Sequence, residues 1–461
     1  MQKKKHRLLY SYHESEILNR LCSSEEYIEL SSIKMQGFKS NLQLLVPLSA
    51  PDVNLKLFKE SGFGSLSSLM VRDDIDQLVL GAKGRVIALS LDDITRKTSE
   101  VTAVVCSADK ALCQMKGKST EECDNVIRTL HTMSDGKMLV CGTNAFNPAC
   151  DHMVSFAFLL VCSFELMFSF HSPGNTLYSA TSSNFLGTAM VFQRHGPNPV
   201  KTEMKRSWLN EPTMISVRLV EASNNSDNGE DDSVFLFFTE AAVEERRGNI
   251  QVSRIGRVCK SDLGGKRTLQ KRWTSFLKAR LDCPFGDAGS QPLVQDVFLL
   301  QDQNNWRGSI FYATWGLITL YCINDEMRAK GVMSSLDLSD TTLVFVKNHP
   351  LMDGVVTPIT GKPLLVQTLT RFSKIVVDQV TSLDGQQHQI MLIGTDAGWL
   401  QKAVRFDGED GRIIEELQLF QDPQPVDFLQ LSSKTVSSLN SKSQLVKYPH
   451  FIGHEFNERL T

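Results

Sequence analysis

One short unit recurs along this chain: an apolar run, a turn carrying glycine, and a second apolar run. QLVLGAKGRVIALSL (77–91), NTLYSATSSNFLGTAMVF (175–192), SIFYATWGLITLYC (309–322) and QIMLIGTDAGWLQKAV (389–404) all have this form. Alternating apolar residues on either side of turn formers predict antiparallel hairpins. VFLFFTE (234–240) and TLVFVKN (342–348) add single strands. Helical periodicity is scarce. KRTLQKRWTSFLKARL (266–281) is the best helix candidate, with Leu269, Trp273, Phe276, Leu277 and Leu281 at helical spacing. So many hairpins in 461 residues predict a large antiparallel architecture. A propeller accommodates them by radial repetition, and insertions in its loops make the spacing uneven. A sandwich of this length would have to be two domains.

With 41% hydrophobic residues the chain can bury a core, and a formal net charge of -3 gives no case for a nucleic-acid partner. The start MQKKKHRLLYSYHESEILNR is basic, but no apolar core of a secretion signal follows, which taken alone argues for the cytosol. MVSFAFLLVCSFELMFSF (153–170) carries Glu165 as its single charge. As a helix it would span about 27 Å, just short of a bilayer core. The cost of Glu165 in lipid and the strand preference of Phe and Val favour buried β structure.

The stretch CGTNAFNPAC (141–150) sets two cysteines around turn residues. It reads as a small disulfide loop, a pair of metal ligands, or two unlinked buried thiols. The chain has ten cysteines but no C-x-x-C, and none of its ten histidines stands at finger spacing from a cysteine pair, which counts against a metal. No G-x-S-x-G elbow, Walker A loop or H-E-x-x-H motif occurs, so the chain is not expected to be an enzyme and no cofactor is expected. Asp231 and Asp232 read as part of the acidic loop 223–233, and His349 beside Pro350 as structural. The basic stretch 266–280 suggests an anion or heparin patch, or a packed helix with a basic outer face; Trp273 and the leucines favour the helix. Asn224-Asn225-Ser226 is a glycosylation triplet.

A set of blocks in order then resembles one family. KGKSTEECDNVIRTL (116–130), CGTNAFNPACD (141–151), WLNEPTMISV (208–217), FFTEAAVE (237–244), SRIGRVCKSDLGGKRTLQKRWTSFLKARLDC (253–283), FVKNHPLMD (345–353) and IGTDAGWLQKAV (393–404) are similar to the semaphorin domain, closest to the class 4 group. The resemblance implies an all-β, seven-bladed β-propeller over 47–431. It implies an extracellular or cell-surface ligand that binds a plexin-family receptor, usually as a homodimer. Such ligands guide axon growth and cell migration, neural crest cells included, often as repellents. Neither nucleic acid nor a small-molecule substrate is expected. The family also implies disulfides Cys113–Cys123, Cys141–Cys150 and Cys283–Cys322. It leaves Cys259 unpaired, because its usual partner falls in a segment this chain lacks. Cys22, Cys106 and Cys162 have no counterpart. Gly142 and Asn144 are expected to shape the loop of the second bridge, Trp208, Asn210 and Pro212 a packed turn, and Asp396 and Gly398 a hairpin turn.

The chain departs from the family at 1–46, in the apolar run 153–170, between Cys322 and Arg328 where only INDEM stands, and in the tail 432–461, which lacks the usual cysteine-rich domain. Strands are therefore expected to be missing from a middle blade and from the closing blade. The alternative to an active ligand is a non-secreted, incompletely folded splice product with dominant-negative activity or none. Receptor contacts lie on variable loops and are not assigned.

Overall fold

The computed structural model describes residues 44–46, 56–59, 66–103, 105, 107–133, 135–154, 157–158, 168–172, 176–182, 190–222, 231–244, 250–283, 293–302, 306–313, 328–329, 331–367, 370–381, 385–405, 410–420, 422–432, 435–439 and 444–449. Residues 43–284 and 291–461 form one compact unit; the other, 1–42 and 285–290, lies outside the described residues.

Nearly all regular structure is strand. Strands β1 (Leu44–Val46) and β2 (Lys56–Lys59) precede the first sheet: β3 (Leu66–Arg72), β4 (Gln77–Ala82), β5 (Arg85–Ser90) and β6 (Lys97–Thr102). Helix α1 (Ser107–Met115) leads to the second: β7 (Ile127–Thr132), β8 (Met138–Gly142), β9 (Ala149–Val154) and β10 (Ala157–Phe158). The third is β11 (Phe168–Ser172), β12 (Thr176–Ser182), β13 (Met190–Arg194) and β14 (Val200–Lys201). The fourth is β15 (Thr213–Val220), β16 (Ser233–Ala241), β17 (Gln251–Cys259) and β18 (Leu277–Leu281), and the fifth is β19 (Val297–Leu300) with β20 (Ile310–Ala313). Helix α2 (Asp340–Asn348) then precedes β21 (Leu351–Val356), which adds to β18 in parallel. The sixth sheet is β22 (Phe372–Thr381), β23 (Gln387–Thr395), β24 (Trp399–Arg405) and β25 (Gly411–Gln418), with β1 parallel to β25. The last is β26 (Phe428–Leu431), β27 (Thr435–Leu439) and β28 (Gln444–Pro449), with β2 on its outer edge.

The first strand of each sheet touches the first strand of the next, from β3 through β7, β11, β15, β19, β22 and β26 back to β3. That is a β-propeller, with the core distributed between blades. Phe58, Leu66, Leu78, Leu80, Ile87 and Leu89 pack with Phe428 between the last sheet and the first. Tyr178, Phe192, Trp208, Trp273 and Phe276 pack between the third and fourth. Strand β16 is buried along its whole length, as a central strand with an almost continuous apolar run should be.

Four expectations are corrected here. TLVFVKN forms most of α2, not a strand. Ser339 caps this helix by accepting the Thr342 N–H, Asp340 stands in its first turn and His349 ends it before Pro350. The stretch 266–281 is not a helix. Leu269 and Lys271 have left-handed backbone (φ +58° and +52°), and the residues from 277 on are strand β18. The closing sheet keeps four strands, because residues of the tail form β27 and β28. The boundary expected at 431 therefore falls inside that sheet. The middle sheet, β19 with β20, has two strands among the described residues. Of the apolar run 153–170, the ends lie in β9, β10 and β11, and most of the middle is outside the described residues. Among the described residues no helix is long and apolar enough to cross a membrane.

Candidate functional site

In a four-stranded antiparallel sheet, the turn from second to third strand and the exit from the fourth lie at the same end. Most motif residues gather there. In the β8–β9 turn, Asn144, Ala145 and Phe146 are consecutive non-glycine residues with φ of +39°, +57° and +59°. Each such residue costs about 1–2 kcal/mol, so the turn needs external support. The Cys141–Cys150 disulfide joins directly opposed positions of β8 and β9. The Asn144 N–H donates to Asn125 Oδ1 (3.0 Å), and its side-chain amide donates to the Asn147 carbonyl (3.1 Å). Gly142 lies against the Asn125 side chain, where a Cβ would collide.

The connection from β6 to β7 packs on this turn. Its Cys113–Cys123 disulfide is buried together with Ala145. Lys110 of α1 donates to Asp124 Oδ1 (2.5 Å), and Lys83 from the β4–β5 turn reaches Asp124 Oδ2 (2.8 Å). The hydrogen bond from Lys110, then that from Lys83, holds the Asp124 carboxyl below its ordinary range. Phe146 remains exposed, with the Lys118 ammonium 4.5 Å from its ring centre.

The WLNEP turn is tied into the fourth sheet. Trp208 stacks on Phe276 at 4.8 Å and donates its indole N–H to the Lys347 carbonyl of α2 (2.9 Å). Asn210 donates its backbone N–H to Glu240 Oε2 (3.1 Å) and its side-chain amide to the Ala241 carbonyl (2.8 Å). Pro212 is buried behind it. Glu240 is fully buried and also receives Arg254 Nε (2.9 Å) and Lys278 Nζ (2.5 Å), while Arg254 reaches Glu244 as well. Burial pushes the Lys278 ammonium down, and Glu240 opposes that shift. Sequence reasoning missed this network. Its signal was there: three charges, Glu240, Arg254 and Lys278, interrupt the apolar pattern of three neighbouring strands. In the sixth sheet the Asp396 carboxylate accepts the Arg371 N–H (3.1 Å), and Gly398 (φ +84°) closes the turn into β24.

Two cysteine expectations are overturned. Cys259 is disulfide-bonded, and its partner lies outside the described residues. Cys283 is a buried free thiol, so the expected Cys283–Cys322 bridge is absent. Burial, with Asp282 beside it, pushes this thiol up to about 12, which suits an inert packed group. Pairing by family spacing failed because the neighbouring segment differs from the family's. Cys22, Cys106, Cys162, Cys322 and Asn224 lie outside the described residues.

The remaining chemistry is structural. Asp232 pairs with Lys260 (2.8 Å), and Asp231 accepts the Ser261 N–H (2.8 Å). His349 stacks on Phe345 at 4.6 Å. Ser179 Oγ lies 2.7 Å from His195 Nε2, but Ser179 is 1% exposed and out of a substrate's reach. The described His, Cys, Asp and Glu residues form no group able to hold a metal ion. The inner strands line a cavity of ≈ 830 Å³, where Arg218, Lys374, Asp296 and Asp427 mix with Phe298 and Leu69.

A ring of small sheets with two disulfide-clamped loops defines a β-propeller. Comparison with known proteins gives its kind. Residues 319–433 match the Sema domain. Semaphorin-4D of Mus musculus is 39% identical over 83% of this chain and 52% of its own length. Among solved structures, Drosophila Semaphorin 1a, extracellular domains 1-2, is 26% identical with TM-score 0.69, covering 87% of this chain and 88% of that one. A structure of Drosophila Plexin A in complex with Semaphorin 1b matches at 24% identity and TM-score 0.69, covering 86% of each chain, and shares the fold. The chain is a Sema-domain protein, and its curated relatives are class 4 semaphorins. It spans about half the length of the curated relatives it matches.

Proposed function

We propose that this chain is a semaphorin-type signalling ligand that binds a plexin-family receptor outside the cell and guides axons and migrating cells. The observation that carries the reading is the 39% identity to a class 4 semaphorin over 83% of the chain. The clamped loop face supports it. Disulfides persist in oxidising compartments, and rigid loops lose little entropy on binding. The solved complex of Plexin A with Semaphorin 1b supports the choice of partner class. Homodimerisation belongs to the same proposal, as does glycosylation at Asn224.

The test is binding of purified chain to cells displaying individual plexins, with mock-transfected cells as reference. Saturable binding to at least one plexin, together with growth-cone collapse or turning, is expected. Absence of binding to every plexin overturns the reading. Sedimentation of the same preparation reports the dimer, and mass spectrometry without reduction reports bridges and the Asn224 glycan.

A further inference from the structure

The basic stretch that reads as a helix in the sequence is instead a fastened loop between β17 and β18. The buried Asp262 carboxylate holds it. Oδ1 accepts the Gly264 N–H (2.9 Å) and the Thr274 hydroxyl (2.9 Å), and Oδ2 accepts the N–H groups of Thr274 (2.7 Å) and Ser275 (2.9 Å) and the Ser275 hydroxyl (2.6 Å). Leu269 and Trp273 turn inward as anchors. Lys266, Arg267 and Lys271 are left outward and exposed.

This loop docks along the edge of the third sheet. The Lys201 N–H donates to the Lys271 carbonyl (3.2 Å), the Trp273 N–H donates to the Lys201 carbonyl (3.0 Å), and Lys201 bridges Arg272 in parallel register. Docking sets a second basic group beside the first: Lys201, Lys205 and Arg206, the last two exposed. The carboxylate between them, Glu203, is already engaged by Arg272 (3.3 Å) and Lys347 (3.5 Å). Lys205 donates to Asn348 Oδ1 (3.3 Å), and no ion pair among the described residues neutralises Lys201, Lys205, Arg206, Lys266, Arg267 or Lys271.

We propose that this strip binds a sulfated polysaccharide. It offers a row of mostly exposed cations on backbone held by hydrogen bonds, so the ligand it fits is a polyanion held by charge. The whole chain is net negative at -3, so attraction is local and favours a dense, flexible anion that follows the strip. The choice of a sulfated glycan rests on the extracellular reading above, where such chains are the abundant polyanions. The binding itself is measured without any receptor, so its failure is separate from failure of plexin binding.

The probe is heparin. Two variants each neutralise one half of the strip: Lys201→Ser/Lys205→Ser/Arg206→Ser and Lys266→Ser/Arg267→Ser/Lys271→Ser. A third, Lys266→Arg/Lys271→Arg, keeps the charge and controls for the fold. Wild type should bind heparin with an affinity that falls steeply with salt, through release of counterions. Each triple variant should bind on the order of tenfold more weakly with a shallower salt dependence, while the arginine variant matches wild type. The proposal is overturned if either triple variant binds as wild type does, if desulfated heparin is held equally well, or if phosphatidylserine vesicles are preferred to heparin.

Discussion

Single residues bear strain in this fold where a turn must be tight. Gly398 sits at φ +84° with the Gln424 carbonyl 2.9 Å from where a Cβ would stand. Gly398→Ala is expected to destabilise the protein by about 1–3 kcal/mol in urea unfolding, from backbone strain plus the contact. Asp124 shows the electrostatic side. Its folded carboxyl titrates below its ordinary 3.8 because Lys110 and Lys83 hydrogen-bond to it. A depressed acid stabilises above its unfolded value and loses that contribution as pH falls through the folded one. The gap in Tm between wild type and Asp124→Asn should therefore be present at neutral pH and close below about pH 4. A gap that persists at pH 2 would mean the substitution acts by packing alone. Gly398 stands in a stretch whose turn character the sequence shows directly, whereas the lysines that hold Asp124 come from positions 83 and 110 and no single window shows them together.

At the scale of strands and helices, legibility followed how local the determining contact was. The hairpins at 77–91 and 389–404 could be read because the alternation and the turn residues lie in one short window. The segments at 266–281 and 342–348 could not. The first is pinned at its base by the neighbouring Asp262 and paired to β14, about 70 residues away in sequence, and the two override its helical spacing. The second carries strand-like Val and Phe, yet Ser339, Asp340 and His349 supply helix ends, and only Leu343 is buried. The Glu240 network was illegible for the same reason: its parts come from three strands and the WLNEP turn. Glu240→Gln is expected to cost about 3–5 kcal/mol, because it leaves Lys278 buried without its hydrogen-bonded counter-charge and leaves Arg254 only the partly exposed Glu244. Replacing all three residues by apolar ones of similar size should cost much less, since the unpaired buried charges are removed with their partner. Chemical denaturation of both variants decides it. Equal losses would show that the network acts through shape and not charge.

For the whole molecule, the larger cores lie between neighbouring sheets, so each blade depends on its neighbours for most of its hydrophobic interior. Beside the β1–β25 pair and the contact of β26 with β3, closure rests on two short ladders that share β28. β2 pairs β28 antiparallel from Lys56↔Lys447 to Lys59↔Gln444, and β27 pairs β28 from Thr435↔Pro449 to Leu439↔Leu445. β2 enters from the N-terminal side of the ring and β26 to β28 from the other, so β28 is the strand that joins β2 to the last sheet. Without it, β2 has no partner and Phe58 loses its place against Leu66 and Leu89. A backbone hydrogen bond contributes about 0.5–1.5 kcal/mol net, so losing two ladders and one interblade contact removes several kcal/mol. Domains have only about 5–15 kcal/mol in total. A chain ending at residue 443 is therefore expected to lose its cooperative thermal transition and to aggregate through the bared edges of β2 and β27. The comparison is full chain against truncated chain by calorimetry and light scattering at one concentration. A truncated chain that stays monomeric and melts within a few degrees of the full one would show that the circle is closed by blade packing, with β28 dispensable.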